Sequence, residues 1–425
     1  MTPELRRILV IALLPTFAAS IGMGAIVPII PSAAAELGAG LELAAFIAGA
    51  AVLGTIVGDL PAGALVARVG ERRAMLLAAS GSIASLLLCV LAPGPWALFA
   101  GVLSIGACAA TFSLARHAYL TLAVPLHLRA RTLSTLGGVF RAGSFFGPFL
   151  AAGVIALWGS PQHVFWAAVA AEAIAILILL LAPDPETMAP QPGSALAPGG
   201  AQDGPAPGDE RSSEALEQLE AEEPGGILAE MRRSRGVLLR LGTTVGIVAL
   251  LRTARQVLLP VWGLAIGMSD ADIALVMGVS GGIDFALFFT SGWVMDRWGR
   301  AASGVPALIG LTIGFGLLAA SWGLPERQAW FVGIAMLIGL ANGLGSGIIM
   351  TLGADAAPEG NPAPFLAAWH FITDLATGVV PFLVSVLAAL AGLPAVAATL
   401  AGIGVLGTGM MARYAPRYDR RRREG

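Results

Sequence analysis

The chain has 425 residues, 56% of them hydrophobic and 12% charged, and its 25 basic residues against 27 acidic ones leave a net charge of −2. Its mean hydropathy is +0.80, whereas about a quarter of the residues of a soluble domain are charged. A soluble domain is therefore excluded, lipid is the solvent this composition needs, and the near-neutral charge offers nucleic acid no basic surface.

A bilayer core about 30 Å thick takes roughly 20 apolar residues per helix. Stretches of that length, divided by turn residues or charge, predict twelve helices at 8–30, 42–66, 74–92, 96–119, 133–157, 163–182, 237–263, 272–295, 303–322, 329–352, 365–390 and 394–414. Unpaired amides do not survive in hydrocarbon, and these segments are too long and too little alternating for barrel strands, so the expectation is an all-α membrane protein. The first segment, RRILVIALLPTFAAS, has the outline of a signal peptide, but its apolar character continues through Ile30 and it reads as an uncleaved helix. Cys89 and Cys108 fall inside apolar segments, where thiols behave as small hydrophobes rather than as a disulfide or metal pair. No cofactor or metal is called for.

Between helices six and seven the sequence turns to Pro, Gly, Ala and acid, too poor in apolar residues to pack. This gives an N-terminal bundle at 1–182, a largely disordered cytoplasmic linker at 183–235, a C-terminal bundle at 236–414 and a basic tail at 415–425. A short helix at 212–222 and a regulatory binding role are open alternatives within the linker. Every basic residue is arginine. Those of alternate loops, such as Arg68, Arg72, Arg73, Arg129, Arg131, Arg232, Arg233, Arg297 and Arg300, share one side with Arg6, Arg7 and the tail, against Arg327 alone on the other. By the positive-inside rule that side is the cytoplasm, with both termini in it.

The halves repeat. Pro31 pairs with Pro260, Gly38 with Gly267, Gly49 with Gly278, Gly63 with Gly292, Arg68 with Arg297 and Gly70 with Gly299, without a gap, since 260 − 31 and 292 − 63 both give 229. Two six-helix halves related by duplication are the arrangement of a transporter whose site lies at their interface near mid-membrane. Gly292-x-x-x-Asp296-Arg297-x-Gly299-Arg300, between helices eight and nine, resembles the cytoplasmic loop signature of the major facilitator superfamily. Gly63, Arg68, Gly70, Arg72 and Arg73, between helices two and three, are similar to its usual first copy, with Ala67 in place of the aspartate. The resemblance implies that this loop braces the halves while the cytoplasmic side is closed, with Asp296 facing residues 131–135 at the start of helix five; the alternative is a loop whose charges only fix topology. On helix five, Gly143, Gly147 and Pro148 resemble the motif of the drug:proton antiporter branch, with Ala151 and Ala152 in place of its closing glycine pair. They imply a kink and tight packing across the interface of the halves. The branch's usual arginine is missing from LFAGVLSIGAC on helix four.

Ionisable groups at membrane depth mark function by default. Asp284, Asp374, Asp59, His370 and Glu172 are the candidates for proton coupling; Glu172 is on a helix that the family's architecture turns toward lipid, so it either turns inward or lies nearer the interface. Arg252, Arg255, Arg141, Trp262, Phe285, Phe288, Asn342 and Trp369 are the candidates for lining the substrate cavity. Arg252 and Arg255, one turn apart on helix seven, could pair with Asp284, so that a substrate separating the pair leaves the carboxyl to take up a proton; the alternative is a static brace. Arg141 and Asp374 stand at corresponding places, each seven residues before a proline. Gly54 with Gly58, and Gly339, Gly343 and Gly347, form ridges best read as packing. Gly278-x-Ser280-x-Gly282 and Gly402-x-Gly404-x-x-Gly407 match a nucleophile elbow and a dinucleotide fingerprint, but neither follows a strand, and no phosphate loop exists without lysine.

The leading expectation is a monomeric, non-enzymatic secondary transporter in a cell membrane, a bacterial inner one, that exports a small amphipathic organic compound in exchange for protons. The second is uptake of a small polar or anionic solute clamped by the arginines. The third is a lipid flippase on the same fold.

Overall fold

The computed structural model describes residues 3–124, 126–181, 231–358 and 363–418, and every element within them is helical. Eleven segments are long and apolar enough to cross a membrane, and the last, Pro364–Tyr418, has 55 residues. Gly392, at φ 77° and ψ 169°, breaks that segment into two crossings, a conformation open only to glycine. The twelve expected helices are therefore present, and their order carries over. Most of the expected linker and the end of the tail, residues 182–230 and 419–425, lie outside the described residues.

Helix edges extend beyond the apolar runs, because a helix continues into its polar flank as long as backbone bonds can form. Helix four is Pro95–Ala123 and helix five Leu126–Trp158. Helix twelve continues to Tyr418, past the expected edge at 414. Helix ten, by contrast, is interrupted: Arg327–Leu344 and Ile348–Ala356 flank Gly347 at φ 83°.

The helices pack as two bundles, each around its own apolar core. One core is built from residues of helices one to six and the other from residues of helices seven to twelve, and each takes in one small residue of the other half. Ala45 of helix two joins the C-terminal core and Ala274 of helix eight the N-terminal one; they are related by the same offset of 229. The backbone repeats too. Gly38 (φ 90°) matches Gly267 (φ 77°), and Gly70 (φ 81°) matches Gly299 (φ 89°). The duplication seen in the sequence thus places glycine where the chain must turn with positive φ.

The bundles meet most closely toward the end that carries the turns at 37–40 and 266–269. Phe46 of helix two stands edge-on to Phe382 of helix eleven, centroids 5.3 Å apart, and Gly49 lies directly against the Pro381 ring. On the opposite flank Phe149 and Phe145 of helix five cover Gly278 and Gly282 of helix eight, where a Cβ would meet the rings at 3.0 and 2.6 Å. The spacing that mimics a nucleophile elbow is a pair of sockets for aromatic rings.

Candidate functional site

Asp284 sits near the middle of helix eight, Asp270–Trp298, and groups from three other helices converge on it. Arg141 Nη1 of helix five is 3.7 Å from Oδ1 and Arg255 Nη1 of helix seven is 3.9 Å from Oδ2. Asn342 Nδ2 of helix ten donates a 2.8 Å hydrogen bond to Oδ2. The arginine distances exceed those of N–H···O bonds, so the attraction is Coulombic. Arg141 belongs to the N-terminal bundle and the others to the C-terminal one, so a single carboxylate ties the halves together. The Arg141 guanidinium also lies 4.6 Å above the Phe288 ring, and Phe285 stacks on Phe145 at 6.3 Å.

Arg252, one turn before Arg255, does not reach the carboxylate; its Nη1 points to Gly345 O at 3.5 Å. That carbonyl is available because helix ten breaks there. Ser291 Oγ of helix eight bonds to Leu344 O at 2.7 Å and to Ser346 O at 2.8 Å, and Ser303 of helix nine also donates to Leu344 O. A helix end at membrane depth has no water for its carbonyls, so side chains must serve them. Gly347 is thus part of a break rather than of the expected ridge. Gly339 and Gly343 do pack, their would-be Cβ atoms meeting Ser280 O at 2.5 Å and Asp284 Cα at 3.0 Å. Gly54 and Gly58 likewise lie against the helix-four backbone at Leu103 and Ala107.

Two expected cavity aromatics are core residues in this conformation. Trp262 and Trp369 are each 1% exposed; Trp262 abuts Trp322 at 5.1 Å, and Trp369 Nε1 donates to Ile349 O at 3.1 Å. Both side chains pack inside the C-terminal bundle, a rotation about the helix axis that sequence position does not reveal.

A second charge cluster spans helices two and eleven, where Asp374 is within electrostatic reach of both Asp59 and His370. Arg141 and Asp374, placed alike in the two halves, join different clusters and do not pair.

A cavity of about 420 Å³ is within the range of small-molecule sites. It lies inside the N-terminal bundle, walled by helices one to six, and none of the expected arginines or aromatics lines it. Among the charges expected to matter, only Asp59 and Glu172 do. Glu172 therefore turns inward, one of the two places open to it on helix six. Its other lining charge, Arg116 of helix four, is absent from the sequence inventory. The run SLARHAYL, continuing helix four past LFAGVLSIGAC, was the available signal. Arg116 is 7% exposed and donates to Thr16 Oγ1 at 3.3 Å and Ser113 Oγ at 3.2 Å. Among the described residues no three His, Cys, Asp or Glu side chains are placed to hold a metal ion.

The loop motifs split by glycine. Gly70 and Gly299 have positive φ, whereas Gly63 and Gly292 face open space and bring no helices together. Arg300 Nε binds Asp355 Oδ2 of helix ten at 2.7 Å, and its Nη1 is 3.4 Å from Asp296, a carboxylate 65% exposed. Asp355 is a partner that sequence reasoning missed. Side chains from 125 to 131 and at 133 and 134 lie outside the described residues, and with them most of the contact expected for Asp296. In the first copy Arg72 donates to Leu179 O and Leu180 O at the end of helix six, while Arg68 and Arg73 are exposed. The Arg297 guanidinium lies beside the edge-on pair of Trp293 and Trp298, 6.0 and 5.9 Å from their rings. On helix five Gly143 and Gly147 face helix one, their would-be Cβ atoms 2.5 Å from Ser20 Cβ and Ala25 N. The motif with Pro148 packs within its own bundle, and Phe145 and Phe149 beside it make the crossing that the glycines were expected to make.

Among solved structures the fold is shared with a POT family transporter in complex with a thioalcohol-conjugated peptide (TM-score 0.75, 11% identity, 96% of each chain). It is shared also with a D-xylose-proton symporter (TM-score 0.69, 16% identity, 98% of this chain and 99% of that one). A third is the inward-open xylose transporter XylE from E. coli (TM-score 0.69, 15% identity, 96% of each chain). No curated protein matches the sequence. The family model for the Major Facilitator Superfamily matches residues 12–381. With that match over most of its length, the chain belongs to the Major Facilitator Superfamily of transporters.

Proposed function

We propose that the protein is a proton-coupled carrier that exports a small amphipathic organic compound by alternating access, with Asp284 as the coupling carboxylate. The observation that carries this is the position of Asp284 between Arg141 of one bundle and Arg255 of the other. Protonating that carboxylate removes the charge that holds both arginines, so proton binding and the motion of the halves act on the same contact. The cavity wall supports an amphipathic solute: Met23, Ile26, Leu86, Ile105 and Phe112 surround a few charged and hydroxyl groups. Closure at the 37–40 end agrees with an inward-facing state if, as the arginines suggest, the termini are cytoplasmic. The chain is taken to act as a monomer, the two bundles working on one site.

Proteoliposomes with a controlled pH gradient and a substrate panel test the reading. Native protein should accumulate or release substrate according to the gradient, and Asp284→Asn should uncouple transport from it. Unchanged gradient dependence in Asp284→Asn would remove this carboxylate from the mechanism.

A second reading has its own support. Arg141, Arg252 and Arg255 outnumber the single nearby carboxylate, and buried Nε and Nη1 of Arg255 have no hydrogen-bond partner, which suits an anionic solute. Loss of anion transport in Arg255→Gln, with neutral and cationic compounds never transported by native protein, would favour it.

A further inference from the structure

The cavity in the N-terminal bundle has opposite charges at opposite ends. Arg116 projects into it from the side of Thr16, more than nine-tenths buried, with Nε lacking any hydrogen-bond partner. Glu172 enters from helix six beside Gly22 of helix one, whose would-be Cβ meets Ala171 Cβ at 3.3 Å, and it is within electrostatic reach of Cys108. Among the described residues Glu172 has neither a hydrogen bond nor an ion pair, and Arg116 has no carboxylate within salt-bridge distance. From Cys108 to Arg116 is two turns of helix four, about 12 Å of rise, so the charges lie on the order of 10 Å apart with an apolar wall between them. Asp59, the third charge on the wall, is exposed and lies within electrostatic reach of His370 of helix eleven.

A buried arginine without a carboxylate and a half-buried glutamate without a partner are costly at membrane depth unless a ligand answers them. We propose that this cavity binds an elongated amphipathic zwitterion, its carboxylate on Arg116 and its ammonium on Glu172. The repeat strengthens the case. The space in the C-terminal bundle formed by Val248, Arg252, Leu311, Ala341, Asn342 and Gly345 corresponds, at the offset of 229, to six residues of this wall, and it encloses only about 10 Å³. There Arg252 occupies the place of Met23, and Gly345 that of Arg116. One half keeps the cavity and the other has filled it.

The inference names the substrate class for the carrier proposed above, but binding does not require transport, so the two can fail separately. Purified full-length protein in nanodiscs is titrated by calorimetry with 8-aminooctanoate, octylamine, octanoate and 1-octanol, and empty nanodiscs correct for partition into lipid. The expected result is that 8-aminooctanoate binds at least about tenfold tighter than the three others. In Arg116→Gln it should bind no tighter than octylamine, with the preference restored in Arg116→Lys; in Glu172→Gln it should bind no tighter than octanoate. Equal affinity for all four compounds, or variants that leave the order unchanged or weaken every compound alike, overturns the proposal. Should Arg116→Gln fail to fold, Glu172→Gln and Arg116→Lys still decide it. Selective binding without transport would count against the carrier reading alone, and transport without this selectivity against the zwitterion alone.

Discussion

Replacing Asp284 by Asn keeps the shape of the junction and removes the only negative charge that Arg141 and Arg255 share. At separations of 3.7 and 3.9 Å each attraction is about 4 kcal/mol for an effective dielectric of ~20. Arg141 is 25% exposed and its attraction is screened; Arg255, at 7%, keeps most of its own. Arg252 lies in the same field, so the substitution leaves three guanidinium groups facing one another without a counter-charge. Removing one partner of a buried pair costs roughly 3–5 kcal/mol for this reason. Asp284→Asn should therefore lose about 3–5 kcal/mol of unfolding free energy, read by tryptophan fluorescence during SDS titration of the micelle-solubilised protein. Combining it with Arg255→Gln should recover at least half of that loss, because the stranded charge goes with its partner. A loss below about 1 kcal/mol, or additive losses in the double variant, would show that the three side chains are not energetically one unit.

Gly299→Ala should cost about 1–3 kcal/mol, since φ 89° with ψ 169° is closed to side chains, while Gly292→Ala, facing open space, should stay within about 0.5 kcal/mol in the same titration. Ser291→Ala strips hydroxyl bonds from the carbonyls of broken helix ten and should cost about 1–3 kcal/mol; a neutral result would mean that Ser303 and water suffice there. With Cys89 and Cys108 replaced by Ala, Phe46→Cys with Phe382→Cys should be joined by a short bis-methanethiosulfonate reagent, which spans the space left by two rings 5.3 Å apart. The cross-link should abolish transport and reduction restore it, whereas transport by the cross-linked protein would mean that this end never opens.

The architecture was legible because it rests on length, hydropathy and repetition, properties that one sequence displays in full. Gly38 with Gly267 and Gly70 with Gly299 could be paired from register alone, and their positive φ values explain the pairing. Asp284 was legible as well, being a charge in mid-helix that hydrocarbon does not tolerate alone. What stayed hidden depends on rotation about helix axes. Helices at either end of a crossing bury faces that differ by a fraction of a turn, so Trp262 and Trp369 could be assigned to a wall when they belong to a core. For the same reason the place of Glu172, inward or nearer the interface, stayed open until the cavity showed it. Arg116 escaped because the helix-four stretch read for charge stopped short of it, although the helix itself runs to Ala123.

The asymmetry between the halves follows from which positions of the repeat hold charge. Subtracting 229 from Asp284 gives Thr55, and from Phe288 gives Asp59, both on the cavity wall of the N-terminal bundle. The same operation takes Arg255 to Ile26 and Asn342 to Ser113, also on that wall. The residues that build the Asp284 junction and those that line the N-terminal cavity are thus one set of positions, used twice. In the C-terminal bundle long arginines fill the space and face a carboxylate, which fixes a contact to the other half. In the N-terminal bundle the corresponding positions, among them Ala19, Ser82 and Ser113, border an open space, with Arg116 and Glu172 on its wall and no ion pair between them. A duplicated scaffold can in this way divide labour between its copies: the filled copy responds to charge at the interface, and the open copy has room for a solute.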